Sequence, residues 1–215
     1  MDLSHGRCGR LGVNLSLGEF RALVAKAFRG AGYSWGLTED AAFASMRLAE
    51  FGLEAGPVVE RLLEATQGFV TTQLMPSETW ECEGALLCPV CVGTSLVDVG
   101  ECAEVSLDRV AEPILLAPFL LSLIEPGGDG FVIAWDGGRC EVGIDSITQS
   151  GSAADDLQTV VITRQRVNRT ASTRQSRVEL DMATQTAIEA FAHRTYAPAT
   201  EASRRAGAGA SRDDD

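Results

Sequence analysis

The sequence is poor in lysine and histidine, and its charge is strongly one-sided. Lys26 is the only lysine among 18 basic residues, and there are two histidines. The formal net charge is −12. General binders of nucleic acid or of anionic membrane surfaces are normally basic. We therefore expect no nucleic-acid partner and no membrane partner.

Long hydrophobic runs are also missing. The most apolar run, PILLAPFLLSLI at residues 113–124, has 12 residues and two prolines, which is too short to span a bilayer. The first residues, MDLSHGRCGRLGV, contain no apolar segment of the kind that a signal peptide requires. We therefore expect a cytoplasmic protein whose six cysteines are reduced thiols.

The charge that is present is unevenly distributed. Residues 32–157 contain 21 acidic and 4 basic residues, whereas residues 158–212 contain 9 basic and 4 acidic residues. This asymmetry indicates a local anion-binding patch on an acidic body. Within the basic region, Arg164 and Arg166 are predicted to share one strand face, where they could hold a carboxylate or phosphate. The alternative is a solvated loop that balances the acidic body.

The first third of the chain predicts three short helices. SLGE at Ser16–Glu19 is a capping box, and apolar residues then recur every three or four positions up to Gly30. A second helix is predicted from Thr38 to about Glu54, and a third over residues 58–66.

The remainder predicts mainly strands. Residues 86–99 and 157–167 are β-rich, and residues 131–144 alternate around an Asp-Gly-Gly turn that is typical of a hairpin. Another strand is predicted at residues 177–180, before a helix that Asp181 caps. The order predicts an α+β fold, with an N-terminal helical bundle, a central mainly antiparallel sheet, a C-terminal helix and a short docked tail.

The same patterns predict one domain with two dispensable or mobile ends. The α+β domain is expected over residues 14–205, with a helical part at 14–67 and a sheet part with its closing helix at 80–192. Residues 1–13 do not share the periodicity that follows and are predicted to be a dispensable extension. Residues 206–215 are predicted to be a mobile tail.

CPVC at residues 88–91 allows three interpretations. A zinc knuckle would need a second Cys-x-x-Cys, and the sequence has none. A redox pair would need a helix N-terminus to lower the pKa of the first thiol, whereas the sequence here predicts a strand that turns the two sulfurs to opposite faces. We therefore interpret both cysteines as small buried hydrophobic side chains, and we predict no metal site and no cofactor.

RGAGYSWG at residues 29–36 contains three glycines and two aromatic residues. One interpretation is a tight turn between helices whose rings fill the core. The other is a pocket wall, in which Arg29 and Trp35 contact a small anionic ligand.

A second segment, residues 195–209, could complete such a pocket. Its Tyr, Pro and helix-capping residues predict a turn that docks on the body, with Arg204 as a further ligand contact. The candidate catalytic residues near this pocket are His193, Tyr196 and Glu201.

Two stretches, KAFRGAGYSWGLTEDAA (Lys26–Ala42) and RTYAPATEASRRAGAGA (Arg194–Ala210), resemble the start and end signatures of a bacterial family of unknown function. This resemblance runs from about Asn14 to the C-terminus and implies no established activity. Residues 19–65 are also similar to the N-terminal helices of the malate/L-lactate dehydrogenase family that lacks a Rossmann domain. In that family the second helix leads into Ser-His-Gly with a catalytic histidine, and here the matching place is Ala55-Gly56-Pro57.

These features together predict an accessory or small-anion-binding protein without catalysis. The alternative is an enzyme that acts on a small carboxylate and lacks the histidine of the dehydrogenase family, so the sequence leaves the question of catalysis open. A homo-oligomer is compatible with either prediction.

Overall fold

The computed structural model of the chain describes residues 12–81, 84, 86–152, 156–167 and 171–195. Over these residues the regular elements are six α-helices and seven β-strands. The helices are α1 (Leu17–Gly30), α2 (Trp35–Glu50), α3 (Ala55–Ala65), α4 (Pro89–Val99), α5 (Ala117–Ser122) and α6 (Met182–His193). The strands are β1 (Gly12–Ser16), β2 (Glu104–Val110), β3 (Gly130–Trp135), β4 (Gly138–Gly143), β5 (Ser146–Gly151), β6 (Gln158–Gln165) and β7 (Arg177–Asp181).

The strands form two antiparallel sheets. One has five strands in the order β2-β6-β3-β4-β5, and the other pairs β1 with β7. The hairpin predicted around the Asp-Gly-Gly turn is confirmed, because Trp135 at the end of β3 pairs with Gly138 at the start of β4. N-terminal helices, a central sheet and a closing helix make the fold α+β, as the sequence predicts.

Side chains cap the N-termini of three helices, α1, α2 and α6. The Ser16 hydroxyl accepts a hydrogen bond from the Glu19 N–H, while the Glu19 carboxylate accepts one from the Ser16 N–H, so the capping box before α1 is confirmed. Asp181 caps α6 by accepting from the N–H groups of Ala183 and Thr184. α2 begins at Trp35, earlier than predicted, because the Ser34 side chain caps it.

Residues 89–99 form helix α4, so the strand predicted at residues 86–99 is wrong. Pro89 occupies the first turn, where its fixed φ suits a helix, and Gly100 ends the helix in the left-handed conformation at φ 75°. Every residue from Pro89 to Gly93 is buried. A helical turn that is buried on all sides has no polar stripe, so the apolar run in the first half of α4 resembles that of a buried strand.

One hydrophobic core joins the helices to the sheet. α5 contacts α2 on one side and strands β3 and β4 on the other, and α4 packs against both α2 and α5. Gly93 allows this close approach, because a Cβ at that position would collide with the ring of Phe119. No described helix is long and apolar enough to cross a membrane.

The first and last elements of the described residues contact each other. β1 begins at Gly12, two residues inside the predicted extension, and pairs with β7, while α1 packs along α6. The predicted mobile tail and most of the predicted docked turn, residues 196–215, lie outside the described residues.

Candidate functional site

The turn between α1 and α2 divides its two aromatic residues between core and surface. Tyr33 is only 2% exposed and packs edge-to-face on Phe28 with 4.9 Å between ring centroids. Trp35 is 70% exposed and lies under the guanidinium of Arg29, at 4.6 Å. Arg29 also donates a 2.7 Å hydrogen bond to the Tyr33 carbonyl. The predicted core-filling role is therefore taken by Tyr33, and Arg29 and Trp35 form a stacked pair.

The Tyr33 side chain reaches a pair of cysteines at the start of α4. Its hydroxyl is 3.3 Å from the sulfur of Cys88, within hydrogen-bond range. Cys88 is the residue immediately before the first turn of α4, and Cys91 lies in that turn. Both cysteines are fully buried. The helix that a redox-active pair requires, and that the sequence does not predict, is therefore present.

The two thiols of this pair have different acidities. Burial raises the pKa of the Cys88 thiol, but hydrogen bonds from the Cys91 thiol, the Tyr33 hydroxyl and the N–H groups of Cys91 and Val90 outweigh this effect and lower the pKa. The pKa of Cys91 is raised, because its thiol donates to Cys88 and is itself buried. Cys88 is thus the thiol that ionises first.

A short irregular segment, residues 69–81, lies over Cys88, and we call it the cover segment. The N–H of Cys88 donates a 3.1 Å hydrogen bond to the carbonyl of Leu74, in a 3₁₀ turn at Thr71–Leu74. Leu74 is the only buried residue of the cover segment. Phe69 and Trp80, near its two ends, are partly buried against the core, whereas Val70 and Met75 are exposed.

The other described cysteines, Cys102 and Cys140, are also buried, and the Thr148 N–H that donates to Cys140 does not outweigh the effect of burial. Burial raises the pKa of both, that of Cys140 to about 12. Across the described residues, no three His, Cys, Asp or Glu side chains are grouped so that they could hold a metal ion.

A groove lies on both sides of the connection between α2 and α3. It consists of two cavities of about 410 and 390 Å³, which share Gly52, Leu53, Glu54 and Pro57. β7 and the start of α6 line the first cavity, and Arg61, Glu112 and Trp135 line the second. We call the first cavity the β7 groove.

The β7 groove contains charges of both signs. Its lining includes Arg177, Glu179, Asp181 and Glu54. Nε and Nη2 of Arg177 bind the side chain and the carbonyl of Asn14, which holds the guanidinium against β1. Asp181 is engaged in capping α6. In the neighbouring cavity, Arg61 forms a two-point ion pair with Glu112, at 2.6 and 2.8 Å.

The structure places the predicted ligand residues in separate regions. Arg164 lies on β6, where its guanidinium stacks 4.8 Å from the Phe131 ring and donates to the Leu123 carbonyl. β6 ends at Gln165, so Arg166 lies beyond the strand and does not continue its face. Arg29 and Trp35 are on the helical side of the molecule. Arg204 is outside the described residues.

The candidate catalytic residues lie at or beyond the end of α6. His193 is the exposed last residue of α6, whereas Tyr196 and Glu201 are outside the described residues. The end of α6 does meet the α1–α2 turn, because a Cβ at Gly30 would collide with the Phe191 carbonyl. Docking of the following segment against that turn stays a prediction.

Comparison with known proteins adds one match. Residues 15–86 match the model of a family described as "Protein of unknown function (DUF3726)". The predicted resemblance to a family of unknown function is confirmed. The matched residues include α1, α2, α3, Tyr33 and the cover segment, and they end two residues before Cys88. No curated protein and no solved structure matches the chain. The predicted end signature, residues 194–210, lies outside the matched residues. The match does not test the similarity to the dehydrogenase family.

Proposed function

We propose that this chain is an accessory protein that binds a small carboxylate in the β7 groove, without catalysis of its own. The observation that carries the proposal is the N-terminus of α3. Ala55 and Gly56 line the groove, and no side chain caps the helix there. The Ala55 N–H donates to the Leu53 carbonyl and Pro57 has no N–H, so this terminus offers a negative charge the Gly56 N–H and the positive end of the helix dipole.

Arg177 supports the same ligand chemistry from another wall of the groove. It lies on β7, and its contacts with Asn14 fix the position of its positive charge. An arginine held in this way loses little side-chain entropy when it binds a carboxylate. A cavity of about 410 Å³ is also within the size range of small-molecule sites.

Glu54 and Glu179 narrow the class of ligand. Both are exposed and line the β7 groove, so they would repel a ligand that carries only negative charge. A ligand with an ammonium group as well as a carboxylate could place the ammonium group near the two glutamates and the carboxylate near Arg177. We therefore propose a zwitterion of the amino-acid type as the preferred ligand.

The proposal leaves catalysis out because no described residue lining the groove is a histidine, and the carboxylates there are assigned to the ligand's ammonium group and to the cap of α6. Residues 55–57, where the dehydrogenase family has its histidine, are Ala, Gly and Pro, whose side chains transfer no protons. Thr184 lines the groove, and His193 lies nine positions further along α6. That separation is roughly 14 Å along the helix axis, so His193 is beyond hydrogen-bond reach of a ligand in the groove.

The test is titration calorimetry with a panel of monocarboxylates, dicarboxylates and neutral amino acids. We expect an amino acid to bind most tightly, and Arg177→Gln to weaken its binding about tenfold, which corresponds to about 1.4 kcal/mol. Arg139→Gln is the matched control, because Arg139 is an exposed arginine on β4 that pairs with Glu141.

Three results would count against the proposal. Equal weakening in both variants would show that Arg177 does not contact the ligand. No binding of any panel member at millimolar concentration would remove the proposed ligand class. Conversion of a bound panel member into a product, followed by NMR, would favour the enzyme alternative.

A further inference from the structure

We propose that Cys88 and Cys91 form a peroxide-sensitive dithiol, which closes to an intramolecular disulfide and is reopened by a reducing dithiol. This site is built from α4, the α1–α2 turn and the cover segment. None of its three side chains, Tyr33, Cys88 and Cys91, lines the β7 groove, so the chemistry does not depend on a ligand there.

The geometry at the start of α4 places the two sulfurs together. Residues three apart at a helix N-terminus are neighbours on the helix surface, so the Cys91 thiol lies close enough to Cys88 for the two to shift each other's pKa. Cys88 precedes the first helical residue and has an extended backbone. Its side chain can therefore turn towards Cys91 without displacing the helix, and the distance between Cα atoms one turn apart suits a disulfide.

The surroundings of Cys88 select it as the sulfur that attacks. The Tyr33 hydroxyl, 3.3 Å from its sulfur, and the Cys91 thiol can both donate to a Cys88 thiolate, and the N-terminal end of α4 stabilises negative charge there. Cys140 is equally buried but has a raised pKa. Within the described residues, this difference makes Cys140 an internal control for any effect of burial alone.

The oxidation proceeds in two balanced steps. The Cys88 thiolate attacks one oxygen of hydrogen peroxide, the O–O bond breaks, and the departing hydroxide takes up a proton to leave as water, which gives a sulfenic acid on Cys88. The Cys91 sulfur then attacks the Cys88 sulfur, the S–O bond breaks, and the hydroxyl leaves with the Cys91 proton as a second water. Two thiols supply two electrons, and one peroxide is reduced to two waters.

Access to the buried pair requires movement of the cover segment. Its contact with Cys88 is the hydrogen bond from the Cys88 N–H to Leu74, and Leu74 is its only buried residue. A segment with one fully buried side chain, between the partly buried Phe69 and Trp80, can open locally at a lower free energy than the whole fold. Peroxide is small enough to enter through such a local opening, whereas a large disulfide would need a wider one.

The experiment uses the full chain treated with hydrogen peroxide, quenched with iodoacetamide and cut with a glutamate-specific protease. Cleavage after Glu83 and Glu101 gives the peptide of residues 84–101, which contains Cys88 and Cys91 and no other cysteine. We expect mass spectrometry to find this peptide two hydrogens lighter and unalkylated. Dithiothreitol before the quench should restore two alkylated thiols.

The variant Cys91→Ser tests the second step of the oxidation, and Cys140 is the internal control for burial. Cys91→Ser should stop the reaction at the sulfenic acid, which dimedone labels on residue 88. Overoxidation of Cys88 without a disulfide, or an unchanged 84–101 peptide under excess peroxide, would overturn the proposal. Oxidation of Cys140 at the same rate as Cys88 would also overturn it, because the reaction would then occur in the unfolded chain.

Discussion

At the scale of single residues, Tyr33 links the helical part of the chain to the cysteine pair. Its ring packs on Phe28, its carbonyl accepts from Arg29, and its hydroxyl reaches Cys88, 55 positions later in the chain. The buried ring could be predicted from the sequence, since an aromatic residue between glycines at a helix turn commonly fills the core. The contact with Cys88 could not, because it depends on how two distant elements pack.

The hydroxyl of Tyr33 should determine the pH at which Cys88 reacts. Tyr33→Phe keeps the ring but removes a hydrogen bond that stabilises the thiolate, so the pKa of Cys88 should rise. A hydrogen bond to a charged group is worth about 1.5 kcal/mol, which corresponds to about one pH unit. The measurement is the pH profile of the iodoacetamide reaction, read on the 84–101 peptide, and we expect its midpoint to move to higher pH.

The profile of Cys140 in the same Tyr33→Phe samples is the control. Cys140 lies on β4, so its reaction should be unchanged. A shift of both profiles would indicate a general change in stability. An unchanged Cys88 profile would show that Tyr33 does not position the thiolate.

At the scale of elements, the sequence predicts those that carry their own end signals. Ser16 and Glu19 cap α1, Asp181 caps α6, and the Asp-Gly-Gly turn makes the β3–β4 hairpin. α4 has such signals too, in Pro89 and Gly100, but the apolar run in its first half is also typical of a buried strand. The chemistry of Cys88 depends on the helix that follows it. Since the sequence pattern predicts a strand there, it does not predict the site at Cys88 and Cys91.

The cover segment should control how fast Cys88 is modified. Leu74→Ala removes its only buried side chain, and truncation of a buried leucine typically costs about 2 to 5 kcal/mol. If part of this loss lowers the free energy needed to open the cover segment locally, the alkylation rate of Cys88 should rise more than tenfold. The measurement is the time course of iodoacetamide labelling at pH 8, with the 84–101 peptide as the readout.

Leu107→Ala is the matched control for this change. Leu107 is also fully buried, but it lies on β2 in the five-stranded sheet. It should lower global stability without loosening the cover segment. If both variants speed the labelling of Cys88 equally, the cysteine is reached by global unfolding, and the cover segment has no special role.

At the scale of the whole molecule, the two ends of the described chain hold each other in place. β1 pairs with β7 from Gly12 to Ser16, and α1 packs along α6. The same contacts build the β7 groove, because Asn14 on β1 fixes Arg177 on β7. The sequence predicts the α+β class and β7, but not this pairing, since no local pattern specifies which strand a short N-terminal segment will join.

Two N-terminal deletions should therefore behave differently. Removal of residues 1–11 leaves β1 intact and should change the thermal midpoint by no more than a degree or two. Removal of residues 1–16 deletes β1 and the Ser16 cap of α1. A lost cap alone costs about 1 kcal/mol, and a lost strand adds to it, so a total of about 2 kcal/mol should lower the midpoint by about 4 to 8 °C. Differential scanning calorimetry of both proteins measures this directly. A large drop on removal of residues 1–11 would mean that the fold needs the segment before β1, whereas equal midpoints for both deletions would mean that the β1–β7 pairing contributes little to stability.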